Sequence, residues 1–310
     1  MDKIDQKLLT ELDKDPKIPL TQLAKKLLIS QQVADYRMKR LIKQGVIVKF
    51  AAIINLKSLR QEHYRIFFRF NAKFDINEVF SYLKNQKEVY WTARIGGRYD
   101  LLLTLFVFDF AAFDQFIGRF NQEFPGLIRD ITSCYVLNHC FYNHKFLSKE
   151  FIQIEYGYND PSIELDELDQ YILRKIKDNC RVAALELARE RGTTYKTILN
   201  RIKALEKNKV ILGYRLFIKS KDHLPFIVLF SFKEYATNKE KELINYLARK
   251  EEVTQSLRIF GVWNLLIHVR MGDNEKLQRF IAEVREKFDI ISDYEIIPIF
   301  EDIAINLMPI

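Results

Sequence analysis

Apolar residues at the start of the chain recur with the spacing of short amphipathic helices. One helical face is apolar within residues 3–14, and Pro16 ends this helix because proline disfavours helical geometry in the residue before it. A second helical pattern covers about residues 19–27. Ser30 suits the N-cap of a third helix, which ends at Gly45. Three short helices with a tight turn between the last two predict a helix-turn-helix.

After residue 60 the alternation of apolar and polar residues changes to period two, which is typical of strands. Strand and helix patterns follow in the order strand, helix, strand, strand, helix, strand. This order predicts the ferredoxin-like sandwich, whose helices cover one face of its sheet and leave the other free to pack on a second sheet. The strands are expected at 64–71, 89–95, 99–108 and 131–143, and the helices at 76–85 and 110–124.

The whole pattern occurs twice, because shifting the sequence by 164 positions superimposes its second half on its first. At this offset Asp5-Gln6 matches Asp169-Gln170, and Gly97 matches Gly261. We therefore expect an α+β chain of two repeats, each an N-terminal winged helix-turn-helix followed by a ferredoxin-like βαββαβ domain. The expected boundaries are helix-turn-helix domains at 1–60 and 165–221, ferredoxin-like domains at 61–146 and 222–310, and a linker at 147–164.

The formal net charge of +8 is unevenly distributed along the chain. Residues 1–60 hold 13 Lys/Arg against 6 Asp/Glu, and residues 166–221 hold 14 against 7. Each segment therefore carries +7, and the rest of the chain carries −6. Two basic segments on a slightly acidic body are typical of two modules that face nucleic acid. The alternative is two solvated, lysine-rich surfaces.

The third helix of each helix-turn-helix carries residue types that suit DNA recognition. Amide side chains can read adenine, and basic side chains neutralise phosphates. Because the two sets differ, we expect an asymmetric target; the alternatives are a second helix that contacts only the DNA backbone, or a packing unit with a solvated basic face. The candidate DNA-binding residues are Ser30, Gln31, Gln32, Tyr36, Arg37, Lys39, Arg40, Thr194, Tyr195, Lys196, Asn200, Arg201 and Lys203.

A glycine-containing hairpin joins the second and third strands of each ferredoxin-like domain. Glycines let the backbone turn tightly and approach a ligand. Arg94 or Arg98 could clamp a carboxylate there, and Asp100 could hold an ammonium group. The alternative is an ordinary hairpin turn with an aromatic side chain packed nearby. The candidate effector-binding residues are Arg94, Gly96, Gly97, Arg98, Tyr99, Asp100, Arg258, Gly261, Trp263 and Asn264.

The cysteines and histidines favour neither a disulfide framework nor a metal site. The three cysteines contain no tight pair, which indicates a reducing interior. Cys134, His139, Cys140 and His144 are close in sequence, but on a strand pattern in which Cys134 and Cys140 would share a face and His139 would point away. We therefore expect no metal and no cofactor.

No segment resembles a signal peptide, and no apolar stretch approaches the roughly 20 residues that a membrane helix needs. The sequence also lacks a phosphate-binding glycine loop, a zinc signature and a nucleophile with its base. We expect a soluble, cytoplasmic protein that does not contact a membrane and is not an enzyme.

Together these residues resemble the Lrp/AsnC (leucine-responsive and asparagine-responsive) family of transcriptional regulators. The Ile29-Ser30 turn with Gly45-Val46-Ile47 is similar to the family's helix-turn-helix, and Gly97-Arg98-Tyr99-Asp100 is similar to the Gly-x-Tyr-Asp loop of its sensing domain. The resemblance implies a regulator of double-stranded DNA whose sensing domains pair sheet to sheet and bind small effectors, often amino acids, near that loop. Members ordinarily carry one unit per chain, so this chain is expected to form a pseudo-dimer internally and to assemble further as a homo-oligomer.

The second repeat departs from that loop motif, and two other functions stay open. Trp263 and Asn264 replace the tyrosine and the aspartate, so the second loop is not expected to bind an ammonium group. One alternative is an enzyme similar to siroheme decarboxylases, which would need basic and histidine residues around a large tetrapyrrole cavity; the glycine loops contain no histidine, and His268 on a neighbouring strand is a single candidate. The other is a co-regulator or ligand sensor with one inactive DNA-binding head.

Overall fold

The computed structural model describes residues 1–71, 74–148, 150–157, 162–219, 223–234 and 237–308. The helices are α1 (Lys3–Lys14), α2 (Leu20–Leu27), α3 (Gln31–Lys43), α4 (Ile76–Lys84), α5 (Phe110–Glu123), α6 (Glu167–Ile176), α7 (Ala184–Glu190), α8 (Tyr195–Lys207), α9 (Thr237–Arg249) and α10 (Asn274–Lys287). The strands are β1 (Ile47–Ile54), β2 (Glu62–Phe70), β3 (Val89–Ile95), β4 (Leu101–Val107), β5 (Ile128–Tyr142), β6 (Gln153–Gly157), β7 (Ile211–Ile218), β8 (Leu224–Phe232), β9 (Val253–Phe260), β10 (Leu265–Met271) and β11 (Ile291–Ile305). This element order confirms the predicted α+β fold of two repeats.

The chain forms two compact units that do not follow the order of the repeats. The head unit comprises both helix-turn-helix segments, within residues 1–55 and 163–221, together with residues 142–154. The sheet unit comprises both ferredoxin-like segments, within residues 56–141 and 222–310, together with residues 155–162. Strand β6 lies inside the stretch that the sequence predicted as a linker, whereas residues 149 and 158–161 of that stretch lie outside the described residues.

Local sequence signals begin and end the helices of the head unit. The Asp2 carboxylate accepts hydrogen bonds from the N–H groups of Ile4 and Asp5 at 2.9 Å each, forming a capping box at α1. Leu28 ends α2 in the left-handed conformation, with φ 55°. The apolar faces of the first three helices meet in a core that also receives side chains from β1 and β7, including Leu8, Leu12, Leu23, Leu41, Phe50 and Leu216.

A two-stranded antiparallel ribbon joins the two heads. Strand β1 pairs with β7, and Ala51 lies opposite Arg215, which is its own counterpart at the 164-residue offset. Residue 47 likewise lies opposite 218, and residue 54 opposite 211. Exchanging the two repeats therefore gives the same set of paired residues. A pseudo-twofold axis thus passes through the ribbon between Ala51 and Arg215.

The two ferredoxin-like sheets of the sheet unit merge into one closed ring. Its eight strands are hydrogen-bonded in the order β2-β4-β3-β11-β8-β10-β9-β5, and β5 pairs back onto β2. All eight pairings are antiparallel. We call this ring the barrel. The sequence predicted that the two sheets pack together, and in the structure they are also hydrogen-bonded to each other at both edges, through β3–β11 and β5–β9.

Two long strands make these joints possible. Residues 128–135 of β5 pair with β2 of the same repeat, and residues 135–141 pair with β9 of the other. Strand β11 pairs in the same way with β8 and then with β3. The outer face of the first sheet packs on α4 and α5, through Ile66, Phe68, Leu103, Phe116, Phe120 and others. Alternate residues of the same strands therefore face the barrel interior.

Candidate nucleic-acid interface and ligand sites

Helix α3 presents polar side chains at its first turn. Ser30 Oγ accepts a hydrogen bond from the Val33 N–H at 3.2 Å, which confirms the predicted N-cap. Gln31, Gln32 and Lys39 are exposed, and Tyr36 is 65% exposed. A cleft of about 470 Å³ opens beside this first turn, lined by Leu20, Ser30, Gln31, Gln32 and Asp35. The start of α3 is thus accessible to a base edge or a phosphate.

Two arginines of α3 are bound within their own domain. Arg37 Nη1 donates to Asp2 at 2.7 Å and to Asp5 at 2.8 Å, and Arg40 Nη2 donates to Asp5 at 2.7 and 2.6 Å. The hydrogen bond from Arg37 lowers the pKa of Asp2 to about 2. These ion pairs fasten α3 to the start of α1. A role for Arg37 and Arg40 at phosphates therefore stays a prediction, and it competes with a structural role that the sequence did not reveal.

The second head repeats this scaffold with different exposed residues. Thr194 Oγ1 accepts from the Thr197 N–H at 3.1 Å and so caps α8. Arg201 contacts Asp166 at 2.8 Å and Asp169 at 3.4 Å, which repeats the pairing of Arg37. The remaining candidates on this helix are exposed: Tyr195, Lys196, Asn200 and Lys203. The second reading helix is thus as accessible as the first.

Arg181 connects the two heads. Its guanidinium donates to the Pro16 carbonyl at 2.7 Å and to the Ile18 carbonyl at 2.9 Å, and it lies 5.4 Å from the centre of the Phe50 ring. Its counterpart at the 164-residue offset is Lys17, which donates instead to Glu206 at 3.5 Å. The chain therefore fixes one head against the other through both the ribbon and these side chains.

The glycine hairpins have the same backbone contacts in both repeats. The Asp100 carboxylate accepts from the Phe70 N–H at 2.8 Å, and the Asn264 side-chain oxygen accepts from the Phe232 N–H at 2.8 Å. Tyr99 and Trp263 are buried, and their ring centres lie 6.2 Å apart. The sequence predicted that Asp100, but not Asn264, could bind an ammonium group. The structure offers another role for both side chains, because each holds its hairpin to the neighbouring strand.

The arginines of these hairpins differ in their partners. Arg258 forms a two-point ion pair with the buried Glu240, with Nε–Oε1 at 2.6 Å. In the first repeat Ile76 occupies the position of Glu240, and Arg94 is exposed. Arg98 lies 3.4 Å from Asp130. Between Arg94 and Arg258, Arg94 is thus the better placed to receive a carboxylate.

Glycine is required at three positions of these hairpins. Gly97 has φ +83°, and a Cβ on Gly96 would lie 2.6 Å from the Phe300 ring. Gly261 has φ +152°, and a Cβ there would lie 3.2 Å from Cys134 Sγ. Positive φ angles and close approaches to the protein's own atoms thus account for these glycines without a ligand.

The barrel interior contains polar residues that the sequence analysis missed. His63 and Arg65 lie on β2 and Thr104 lies opposite Arg65 on β4, and all three are at most 2% exposed. Burial lowers the pKa of His63 well below 6.5. In the strand pairing the counterparts of His63 and Arg65 are Pro225 and Ile227, so two polar residues occupy positions that are apolar in the other repeat.

A chain of buried hydrogen bonds extends from His63 to the second repeat. His63 Nδ1 lies 3.2 Å from the Tyr156 hydroxyl, which lies 3.1 Å from His139 Nδ1, and His139 Nε2 lies 2.9 Å from Gln255 Oε1. The prediction that Cys134 and Cys140 share a face is wrong, because the irregularity between Val136 and Asn138 shifts the alternation by one residue. His139 therefore faces the interior, and Cys140 faces the opposite side.

Two features are absent from the residues that the structure describes. Within these ranges no helix is long and apolar enough to cross a membrane. Across the same part of the chain, no group of three or more His, Cys, Asp and Glu side chains is arranged to hold a metal ion.

Comparisons with known proteins give two kinds of similarity. Residues 1–48 match the winged helix-turn-helix DNA-binding family. The HTH-type transcriptional regulator Ptr1 of Methanocaldococcus jannaschii is 31% identical over 120 residues, covering 38% of this chain and 80% of that protein. An uncharacterized HTH-type transcriptional regulator of Pyrococcus furiosus is 29% identical over 131 residues, covering 41% of this chain and 83% of that protein. Each of these relatives thus corresponds to about one repeat.

The whole chain is similar to a solved enzyme structure. The siroheme decarboxylase NirDL matches with a TM-score of 0.68 at 15% sequence identity, covering 99% of this chain and 94% of that chain. The expectation that the chain is not an enzyme is therefore contradicted, because its complete two-repeat architecture is one on which catalysis occurs. The expectation rested on the lack of local catalytic motifs, and such motifs do not reveal a similarity of fold over the whole chain.

Proposed function

Because the chain belongs to the Lrp/AsnC family of helix-turn-helix transcriptional regulators, we propose that it binds double-stranded DNA through both α3 and α8. The observation that carries this proposal is the repeated scaffold of the two reading helices. Each is capped, each is fastened to the preceding helices by an Arg–Asp pair, and each keeps exposed polar side chains. The ribbon places both heads in one compact unit.

The two heads are expected to contact two different half-sites. A homodimer of one repeat would carry two identical reading helices, whereas here Gln31, Gln32 and Tyr36 correspond to Tyr195, Lys196 and Asn200. Amide side chains can read adenine, whereas lysine holds guanine or phosphate. An asymmetric operator follows from this difference.

The test is DNA binding by the full-length chain with one head altered at a time. The salt dependence of the affinity reports how many phosphates are neutralised, and one lost phosphate contact lowers the slope by about 1. Lys39→Ala and Lys203→Ala are each expected to lower it by about 1, whereas Lys87→Ala, an exposed lysine of the sheet unit, leaves it unchanged. Operators for this assay come from selection of bound genomic fragments.

The outcomes separate the proposals about the heads. An unchanged slope in Lys203→Ala together with a reduced slope in Lys39→Ala would mean that the second head is idle, as in a co-regulator. No retention on duplex DNA at low salt would reject DNA binding altogether.

We further propose that a small effector binds near the first glycine hairpin and that the chain assembles beyond one pseudo-dimer. The exposure of Arg94 supports the effector proposal, because its counterpart Arg258 is bound to Glu240. Exposed apolar side chains at the edge of the second hairpin, Phe260 and Val262, support further assembly. Light scattering with and without amino acids tests both.

A second candidate function is chemistry on a tetrapyrrole inside the barrel. The observation that favours it is the set of histidines on the barrel strands, His63, His139 and His268, which are buried. The sequence analysis had looked for histidine in the hairpin loops, where there is none. Incubation with siroheme tests this candidate: a shifted visible spectrum with release of carbon dioxide supports it, and an unchanged spectrum rejects it.

A further inference from the structure

A buried arginine of the barrel has donor atoms without a partner. Arg65 is 2% exposed, and its Nε and Nη1 atoms have no hydrogen-bond partner among the residues that the structure describes. Buried polar groups in native proteins are hydrogen-bonded in the large majority of cases. A buried arginine whose donors are unsatisfied therefore points to a ligand that accepts from them.

Two more unsatisfied polar atoms lie on the same face of the sheet. Thr104 is paired with Arg65 across β2 and β4, and its Oγ1 has no partner within the described part of the chain. His63 lies two residues before Arg65, and its Nε2 atom also has no hydrogen-bond partner among the described residues. The Arg65 guanidinium also lies 5.2 Å from the centre of the Trp91 ring. We call these four residues the Arg65 site.

The Arg65 site carries a positive charge that, among the residues that the structure describes, is not balanced by an ion pair with a carboxylate. Burial lowers the pKa of Arg65 to about 10, and the groups that oppose this shift are the tyrosines Tyr156 and Tyr90. Arg65 therefore stays charged at neutral pH, whereas the lowered pKa keeps His63 neutral. Buried charges in proteins are normally paired, so an anion is the complementary ligand.

We propose that the Arg65 site binds the carboxylate group of an organic acid inside the barrel. The guanidinium donates to the carboxylate oxygens in charge-assisted hydrogen bonds, and the Thr104 hydroxyl donates a further one. Some eight-stranded barrels hold one small ligand, whereas in others side chains fill the interior. The second repeat cannot form the same site, because Pro225 and Ile227 stand in the strand positions of His63 and Arg65. Each chain therefore holds one such site.

This site is separate from the glycine hairpins and does not depend on either candidate function. A small acid and a tetrapyrrole both carry carboxylates, so both are sources of the same chemistry. The experiment must therefore compare a small monocarboxylate with a tetrapyrrole carboxylate on the same protein.

The test is calorimetric titration of the full-length chain with acetate, benzoate and uroporphyrin III. Arg65→Leu removes the guanidinium and leaves an aliphatic side chain, as the second repeat has with Ile227 at the equivalent strand position, and it is expected to weaken carboxylate binding by about 10- to 100-fold. Arg119→Leu, the same change on the outer helix α5, is the matched control and leaves binding unchanged. Arg65→Lys keeps the charge and gives a smaller loss, which keeps the test valid if the leucine variant folds poorly.

The outcomes decide the proposal and the source of the ligand. Binding of benzoate or acetate that Arg65→Leu removes supports the site with a small acid, and binding of uroporphyrin III alone that it removes supports the site with a tetrapyrrole. Carboxylate binding that survives Arg65→Leu but is lost in Arg94→Leu overturns the proposal in favour of the hairpin. DNA affinity is measured in parallel, so failure of the Arg65 site is distinguishable from failure of the DNA-binding function.

Discussion

Asp100 and Asn264 show how one position serves the fold with either side chain. Each oxygen accepts a backbone N–H from the neighbouring strand at 2.8 Å. Asp100→Asn is therefore expected to leave the free energy of unfolding within about 0.5 kcal/mol of wild type, whereas Asp100→Ala loses about 1 to 2 kcal/mol because the Phe70 N–H is left unpaired. Urea denaturation of both variants measures the difference.

The same pair of variants tests the proposed ammonium site. Asp100→Asn removes the negative charge but keeps the acceptor, so a loss of amino-acid binding in this stable variant would assign the charge to a ligand. Equal binding in wild type and Asp100→Asn would leave Asp100 with the structural role alone.

At the level of elements, the heads are coupled by a contact that only the structure reveals. Arg181 donates two hydrogen bonds to carbonyls of the first head, at Pro16 and Ile18. Arg181→Ala is expected to destabilise the head unit by about 2 to 3 kcal/mol, because hydrogen bonds from charged groups are lost and the carbonyls remain. Thermal unfolding and DNA affinity measure the effect.

Arg189 offers the matched control for this substitution, since it is an exposed arginine on α7. Arg189→Ala is expected to change stability by no more than about 0.5 kcal/mol. If both variants behave alike, the hydrogen bonds of Arg181 contribute nothing measurable to holding the two heads together.

The interior face of the barrel makes its stability depend on pH. His63 has a pKa far below 6.5 in the folded state, so below pH 6.5 the unfolded chain binds a proton that the folded chain does not. Stability therefore falls as the pH is lowered from 6.5, by up to about 1.4 kcal/mol per pH unit from this group. His63→Gln is expected to remove that contribution.

The measurement is the urea midpoint of wild type and His63→Gln between pH 7.5 and 5. His139 and Tyr156, which adjoin His63, are common to both proteins, so the difference in slope belongs to His63. His223→Gln, a histidine just before β8, serves as control. If the urea midpoint of His63→Gln falls with pH as steeply as that of wild type, His63 does not contribute to the pH dependence. That result would mean that His63 binds its proton in the folded state as readily as in the unfolded state.

At the level of the whole molecule, the sequence predicted the repeat architecture well because the apolar periodicity is preserved at one constant offset. Predicted and observed bounds of α3 and β3 agree within one or two residues. The closure of the barrel was not predictable, because β5 and β11 each cross between sheets through irregularities in their pairing. Side-chain partners were equally hidden: Arg37 and Arg201 read as phosphate contacts in the sequence, yet each binds two local aspartates.

The interior of the barrel was missed for a related reason. Within one repeat, His63 and Arg65 alternate with apolar residues, which is the pattern of a strand with one face exposed to solvent. Only the second sheet, which covers that face, makes these residues buried.

The self-symmetric pairing of Ala51 with Arg215 has an evolutionary consequence. In a homodimer of a single repeat, every interior residue would occur twice in one barrel. An arginine at position 65 would then share the barrel interior with its own copy, and the two positive charges would repel each other. Joining both copies in one gene removes that constraint, since a mutation then changes one half only. The difference between Arg65 and its counterpart in the strand pairing, Ile227, is one that selection could reach only after the two copies became separately heritable.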